Sequence, residues 1–160
     1  MKTKRVDQTE LKVMQSFVML ILAIGFVLNS WEVVASQMII FGLTIISPML
    51  NPFIGLYRSI LRPLHIIEAD WRVDNMAAHR FASMIGLALS TASVGLLTSG
   101  HELLGWSLIG LILVFGVLAL RGWCAGCYSY YMINRLGAKG FFKHTPIGTQ
   151  FPGARPPKGA

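Results

Sequence analysis

Charge is scarce in this sequence, and its scarcity excludes an ordinary soluble domain. Charged residues make up 13% of the 160 residues and hydrophobic residues 54%, whereas roughly a quarter of a soluble domain is charged. A chain of this composition cannot cover itself with polar surface in water, so we expect a lipid bilayer to be its solvent. The net charge of +7 does not indicate a nucleic-acid partner, because the basic residues cluster between apolar runs, as membrane orientation signals do.

Cysteine and the familiar catalytic patterns are also nearly absent. The two cysteines, Cys124 and Cys127, are too few for the disulfide framework of a small secreted protein. No phosphate-binding glycine loop, dinucleotide fingerprint, HExxH helix or nucleophile elbow occurs in the sequence. No ionisable residue lies in the middle of an apolar run, which argues against a pump or a channel.

Four apolar runs predict four membrane-spanning helices. Each run can hold an uncharged helix of about 17 to 22 residues, which matches roughly 30 Å of hydrocarbon, and a helix satisfies every backbone amide there. The predicted spans are 13–30, 33–50, 81–99 and 103–121. We therefore predict an all-α membrane protein made of two helical hairpins, occupying residues 1–140.

The basic residues predict the orientation of these helices. All 14 Lys and Arg residues lie before the first span, between the second and third, or after the fourth. By the positive-inside rule both termini and the middle linker are cytoplasmic, in a multi-pass protein of the bacterial cytoplasmic (inner) membrane. A cleaved secretory signal ending near the letters VVAS is the competing interpretation, and Asp7 and Glu10 in its first region argue against it.

A short motif occurs twice and indicates an internal repeat. The letters RVDQ at 5–8 return as RVDN at 72–75, and each copy precedes a span, a short loop with one Glu, and a second span. This order predicts a parallel 2+2 repeat whose pseudo-two-fold axis follows the membrane normal. The alternative is that two hairpins with cytoplasmic ends look alike without duplication.

The linker between the hairpins predicts a helix in the membrane interface. Asn51 and Pro52 are a typical helix start, and the preceding Ser47-Pro48 should kink or end the second span. Arginines of the linker are expected to face lipid phosphates, and an aromatic residue to lie among the headgroups; docking of a partner protein is the alternative. The predicted interface residues are Arg58, Arg62, Trp71 and Arg121. The basic tail at 141–160 is rich in Pro and Gly and predicts cytoplasmic disorder.

The pair Cys124-Ala125-Gly126-Cys127 has three interpretations. It can form a reversible disulfide, accept sulfur as a persulfide, or bind a soft metal, and two incidental small residues are the remaining interpretation. If the fourth span continued through Cys127, the negative end of the helix dipole would make the thiols poor nucleophiles. If Arg121-Gly122 ends that helix, Cys124 opens a new one and the thiols become reactive.

A metal site at this pair is disfavoured, and no metal is predicted. Zinc would need two further ligands. The candidates expected on the same side of the membrane, His65, His79, His144, Glu68 and Asp70, do not lie at a familiar ligand spacing from the pair. Redox or sulfur chemistry is therefore preferred.

These motifs resemble a bacterial membrane protein family known only as a domain of unknown function with four predicted helices. The resemblance covers roughly residues 3 to 137. Its most specific parts are the letters RFAS at the start of the third span and CAGCYSY, in which Cys124, Gly126 and Cys127 match the family motif. The family's association with thioredoxin-like and sulfurtransferase proteins implies a thiol role. Quinone-linked thiol oxidoreductases with four helices are similar in outline, but their cysteines usually lie on the outer face. That difference puts disulfide formation in exported proteins in doubt.

The sequence leaves two main hypotheses for function. In the first, Cys124 and Cys127 exchange electrons or sulfur with a thioredoxin-like or sulfurtransferase partner on the cytoplasmic side, with quinone as the linked cofactor. In the second, the chain is a small accessory subunit of a larger membrane complex and the cysteines are incidental. A third hypothesis, transport of a small sulfur compound, has no polar pathway to support it.

Overall fold

The protein is mostly helical. The computed structural model describes residues 4–136 and 151–156, and 74% of it is helical. Within this part, the α-helices are α1 (Gln8–Val27), α2 (Trp31–Ile46), α3 (Pro52–Leu56), α4 (Met76–Thr98), α5 (Glu102–Leu120) and α6 (Ala125–Arg135). A 3-10 turn at Pro48–Leu50 precedes α3, and a π-helical turn at Tyr57–Leu61 follows it. Two short strands, β1 (Lys4–Asp7) and β2 (Trp71–Asp74), precede α1 and α4.

Three helices in the described residues, α1, α4 and α5, are long and apolar enough to cross a membrane. The second predicted span is shorter than expected, since α2 has 16 residues and about 24 Å of length. It ends at Ile46 because Ser47 is extended (φ −154°) and its side chain caps the 3-10 turn that begins at Pro48. Ser47-Pro48 was predicted to kink or to end the second span, and in the structure it ends the helix.

Helices α1 and α4 begin earlier than the apolar runs do, because side chains cap them. Asp7 accepts a hydrogen bond from the Thr9 amide at the start of α1, and Asn75 accepts one from the Ala77 amide at the start of α4. These caps satisfy amides that a helix start leaves unpaired. Each helix thereby extends by a turn or more toward the charged end of the molecule.

The four longest helices form a bundle in which α1 and α4 each pack against both α2 and α5. Glycines bring the helices close: a Cβ on Gly86 would lie 2.8 Å from the Phe41 ring, and one on Gly116 would lie 1.9 Å from the Met19 sulfur. The apolar part of the core consists of Val18, Leu22, Val34, Phe41, Ile109 and Ile112. The outward faces are apolar as well, with Val27 79% and Leu103 82% exposed, which is typical of helices that face lipid.

The two copies of the RVD motif pair with each other. Strands β1 and β2 are antiparallel, and Arg5 lies opposite Val73 while Val6 lies opposite Arg72. The Gln8 amide extends the contact by donating to the Asp70 carbonyl at 2.8 Å. This small sheet ties the starts of α1 and α4 together at the end of the bundle where both cysteines lie.

The linker closes onto the start of α1. Arg58 donates two hydrogen bonds to the Glu10 carboxylate, at 2.8 and 2.9 Å. Its side chain is 42% exposed, and its contact with lipid phosphates stays a prediction. Arg62 stacks over the Trp71 ring, 5.5 Å from its centroid. The Tyr57 hydroxyl donates to Asp7 at 2.8 Å, and burial together with this carboxylate raises the pKa of Tyr57 to about 12.

Candidate thiol site

The fourth predicted span ends at Arg121-Gly122, as the interpretation with reactive thiols requires. Helix α5 stops at Leu120, and Gly122 adopts φ +108°, a conformation that side chains rarely allow. Cys124 then lies directly before α6, which begins at Ala125. The two thiols therefore lie at the start of a helix, whose partial charge is positive and favours thiolate.

A glycine between the cysteines sets the position of this helix start. A Cβ on Gly126 would lie 2.5 Å from the Cβ of Ala82 and 2.7 Å from its Cα, so only glycine allows α6 to pack this closely on α4. Cys127 is buried in a small cluster with Ala78, Tyr130 and Tyr131, whereas Cys124 is half-buried. The close approach of α6 to α4 thus leaves one thiol more accessible than the other.

The pKa values of the two thiols are shifted in opposite directions. The Cys127 amide donates to the Cys124 sulfur at 3.1 Å. A hydrogen bond from the Cys127 thiol, the charge of His79 and the amides of the helix start outweigh burial and lower the pKa of Cys124 to about 6. The same hydrogen bond, burial and the charges of Cys124 and Asp74 raise the pKa of Cys127 well above its ordinary value. Near neutral pH, Cys124 is therefore the thiolate and Cys127 the thiol.

A histidine and an aspartate complete the site. Nδ1 of His79, in the first turn of α4, lies 3.7 Å from the Cys127 sulfur, and Nε2 of the same ring lies 2.9 Å from Oδ2 of Asp74. Asp74 also accepts hydrogen bonds from Gln8 at 2.6 Å and from the Asn75 amide at 2.7 Å. Burial opposes ionisation of Asp74, but its bonds with His79, Asn75 and Gln8 prevail and lower the pKa of its carboxyl group.

A segment of the tail covers the thiol site. The Cys124 amide donates to the Gly153 carbonyl at 2.9 Å, and the Arg155 amide donates to the Gly122 carbonyl at 2.8 Å. The Phe151 ring stacks on Tyr128 with centroids 6.1 Å apart. We call residues 151–156 the strap. These six residues belong to the tail for which the sequence predicts disorder, and the rest of that tail lies outside the described residues.

A cavity of about 270 Å³ opens beside the thiols. Both cysteines, His79, Asp74 and Arg155 line its polar end. The rest of its lining comes from α1, α2, α4 and α5 and is mostly apolar, with Lys12, Gln15 and Ser83 among its polar members. From His79 to Leu89, both of which line it, the helix rises about 15 Å.

The structure brings together only some of the residues that the sequence singled out. His79 was considered as a metal ligand, and in the structure it is a hydrogen-bonding partner of Cys127. No group of three or more His, Cys, Asp or Glu side chains in the described part of the chain could hold a metal ion, and His144 lies outside that part. Arg121 is exposed at the end of α5. Sequence reasoning missed Asp74 and Arg155 as neighbours of the thiols, because only the folded chain brings them there.

The fold and the site define an all-α, membrane-like protein with a pair of thiols at one end of its helical bundle. Within that class, the chain belongs to the family described as a domain of unknown function (DUF4395), which it matches over residues 6–135. The family membership predicted from the sequence is therefore confirmed, with nearly the same boundaries. Comparison with curated proteins and with solved structures gave no match.

Proposed function

We propose that this protein is a membrane thiol component in which Cys124 attacks and Cys127 resolves. One observation carries the proposal: Cys124 stands at the start of α6, and its sulfur accepts the Cys127 amide at 3.1 Å. The hydrogen bond from the Cys127 thiol, the charge of His79 and the amides of the helix start lower the pKa of Cys124 to about 6. Its thiolate can attack a disulfide, or take the outer sulfur of a donor persulfide RS–SH and release RS⁻. The Cys127 thiol is close enough to hydrogen-bond to the Cys124 sulfur, so it is placed to close a disulfide within the chain.

The proposed setting is the bacterial inner membrane, with four spans in a parallel 2+2 repeat and both chain ends in the cytoplasm. The basic residues flanking the apolar runs support this orientation. The strand register supports the repeat, because matching the two RVD motifs exchanges the pair Arg5–Val73 with the pair Arg72–Val6. The packing supports it too, because the same match exchanges the α1–α5 contact with the α4–α2 contact.

The proposed partner is a thioredoxin-like or sulfurtransferase protein on the cytoplasmic side. Cys124 is half-buried beneath the strap, so a partner thiol or disulfide reaches it from the side that the strap leaves open. The reducing cytoplasm makes a permanent structural disulfide at this pair unfavourable, and a pair that cycles between states fits better.

A lipid-soluble quinone is the proposed electron acceptor. The cavity has mostly apolar walls and the two thiols at one end, as a ring with an apolar tail would require. Two thiols would become a disulfide, and the quinone would take up two electrons and two protons. Ala119→Leu, which narrows the cavity, should slow oxidation of the thiols by a short-chain quinone in lipid nanodiscs. Ala88→Leu, the same change on the outward face of α4, should not. Equal rates in both variants would remove quinone from the proposal.

Thiol labelling tests the proposed function. Intact cells and inverted vesicles would be treated with a membrane-impermeant alkylating reagent, before and after reduction, at several pH values. We expect fast labelling of Cys124 near neutral pH in inverted vesicles only, and no such labelling in Cys124→Ser. Labelling of intact cells would refute the orientation. Slow labelling at every pH, together with full function of a variant lacking both thiols, would leave the accessory-subunit hypothesis in its place.

A further inference from the structure

Cys127 cannot act as the resolving thiol without losing a proton. In the resting site it is a thiol, because the adjacent Cys124 thiolate and burial raise its pKa. A buried thiol has little access to water as a base. Resolution of an intermediate on Cys124 therefore needs a proton acceptor inside the protein.

The hydrogen bonds of Asp74 determine which nitrogen of His79 can accept that proton. Asp74 receives donors on both carboxylate oxygens, from Gln8, Asn75 and the His79 ring. An ionised carboxylate only accepts hydrogen bonds, so Nε2 of His79 carries the proton. Burial lowers the pKa of His79, but Asp74 and the Cys124 thiolate outweigh it and raise that pKa above its ordinary value in the resting site. When the ring is neutral, Nδ1 is an unprotonated acceptor, and it lies 3.7 Å from the Cys127 sulfur.

We propose that His79 is the general base that deprotonates Cys127, and that Asp74 is the positioning residue that holds its ring in the required tautomer. The inference rests on the proposed thiol function and names the order of its steps. The Cys124 thiolate attacks a disulfide RS–SR, which forms Cys124–S–SR and releases RS⁻. Cys127 then passes its proton to Nδ1 of His79. Its thiolate attacks Cys124, closes the Cys124–Cys127 disulfide and releases the second RS⁻. Two protein thiols are oxidised and one disulfide is reduced to two thiols.

The site orders these steps through its charges. Once Cys124 is part of a mixed disulfide, its negative charge is gone. A cause of the raised pKa of Cys127 goes with it, and so does a cause of the raised pKa of His79, whose ring then gives up its extra proton more readily and can act as the base. The groups that act electrostatically on His79 come from three elements: Asp74 of β2, Cys124 of α6 and Arg155 of the strap. Asp74 remains to stabilise the imidazolium that forms, while Arg155 opposes it. The base is therefore needed at the moment when its target becomes easier to ionise.

An aromatic disulfide such as 5,5′-dithiobis(2-nitrobenzoate) separates the two steps, because each releases one coloured thiolate. The full-length chain in detergent would be mixed with this probe in a stopped-flow instrument. We expect two phases in the wild type. In His79→Gln, which keeps an amide for Asp74 but removes the base, the second phase should slow by about 10²-fold. The rate of the second phase is the readout, because loss of the His79 charge also raises the pKa of Cys124 and changes the first phase. His101→Gln, an exposed loop histidine, is the matched control and should leave the second rate unchanged.

The pH profile distinguishes a base from a structural role. In the wild type the second rate should level off once His79 is neutral. In His79→Gln it should keep rising about tenfold per pH unit, because hydroxide replaces the base. Imidazole in solution should restore the second phase of His79→Ala in proportion to its concentration. Asp74→Asn removes the carboxylate that holds the His79 ring and should also slow the second phase, which supplies a second variant if His79 variants fold poorly.

The outcomes separate the two proposals. Absence of any fast first phase in the wild type would overturn the thiol function itself. A normal first phase with an unchanged second phase in His79→Gln and in Asp74→Asn would overturn the role of His79 alone. Slowing without imidazole rescue and without a changed pH profile would also overturn it, because a purely structural defect gives that result.

Discussion

The acidity of Cys124 predicts how its alkylation depends on pH. A thiol with a pKa of about 6 is roughly nine-tenths thiolate at pH 7, whereas one at the ordinary value of 9.0 is about one per cent thiolate. Thiolates of low pKa are weaker nucleophiles, by about 20-fold over three units at a Brønsted coefficient near 0.45. The net advantage at pH 7 is therefore only about 4-fold.

The difference in alkylation rate between an acidic and an ordinary thiol is larger at acidic pH. At pH 5.5 the difference in thiolate fraction is about 760-fold, which leaves an advantage of about 30-fold after the same correction. The assay is alkylation of the purified protein by iodoacetamide between pH 4.5 and 9.5, with mass spectrometry to assign each cysteine. We expect the rate at Cys124 to rise with a midpoint near 6 and then to level off.

Two variants of Cys127 test the cause of this acidity. The hydrogen bond from Cys127 to the Cys124 sulfur is the largest contribution to the lowered pKa. Cys127→Ser keeps a hydroxyl donor and should keep a low midpoint, whereas Cys127→Ala loses the donor and should have a higher one. A wild-type midpoint near 9, or identical midpoints in the two variants, would refute this reasoning.

Three further predictions concern packing around the site. Gly126→Ala should cost about 1–3 kcal/mol of stability by forcing α6 away from α4, whereas Gly110→Ala, whose Cβ meets nothing within 4 Å, should cost little in thermal unfolding. Phe151→Ala should loosen the strap and speed alkylation of Cys124 at every pH. An unchanged rate would show that stacking of this ring on Tyr128 does not hold the strap. Arg58→Met and Glu10→Gln should be coupled by about 1 kcal/mol in a double-mutant cycle, because the arginine is 42% exposed, and a coupling near zero would contradict the pairing.

Local signals in the sequence predicted the ends of the helices well. A glycine after Arg121 and a proline after Ser47 act within a few residues, so the chain alone indicates where a helix can stop. The spans of α1, α4 and α5 follow from the absence of charge over a length that fits a bilayer. The choice between the two interpretations of the cysteine pair still required the structure, because Gly122 permits a break without imposing one.

Contacts between distant residues could not be predicted in the same way. His79 was considered only as a metal ligand, because nothing in the sequence shows that it lies against a thiol 48 residues away. The packing of Gly126 on Ala82 produces that contact. Likewise, the pairing of Arg58 with Glu10 was not predicted, because it depends on how the linker folds back onto α1.

The two aspartates at equivalent positions of the paired strands bind different partners. Asp7 and Asp74 end the two RVD motifs, yet Asp7 holds the linker through the Tyr57 hydroxyl and the Asp70 amide, at 2.8 and 3.1 Å. Asp74 holds an imidazole instead, at 2.9 Å. One RVD motif thus uses its carboxylate to hold the linker, and in the proposed mechanism the other uses the equivalent carboxylate to position His79. Substitution of Asp74 would therefore leave the contacts that hold the linker in place.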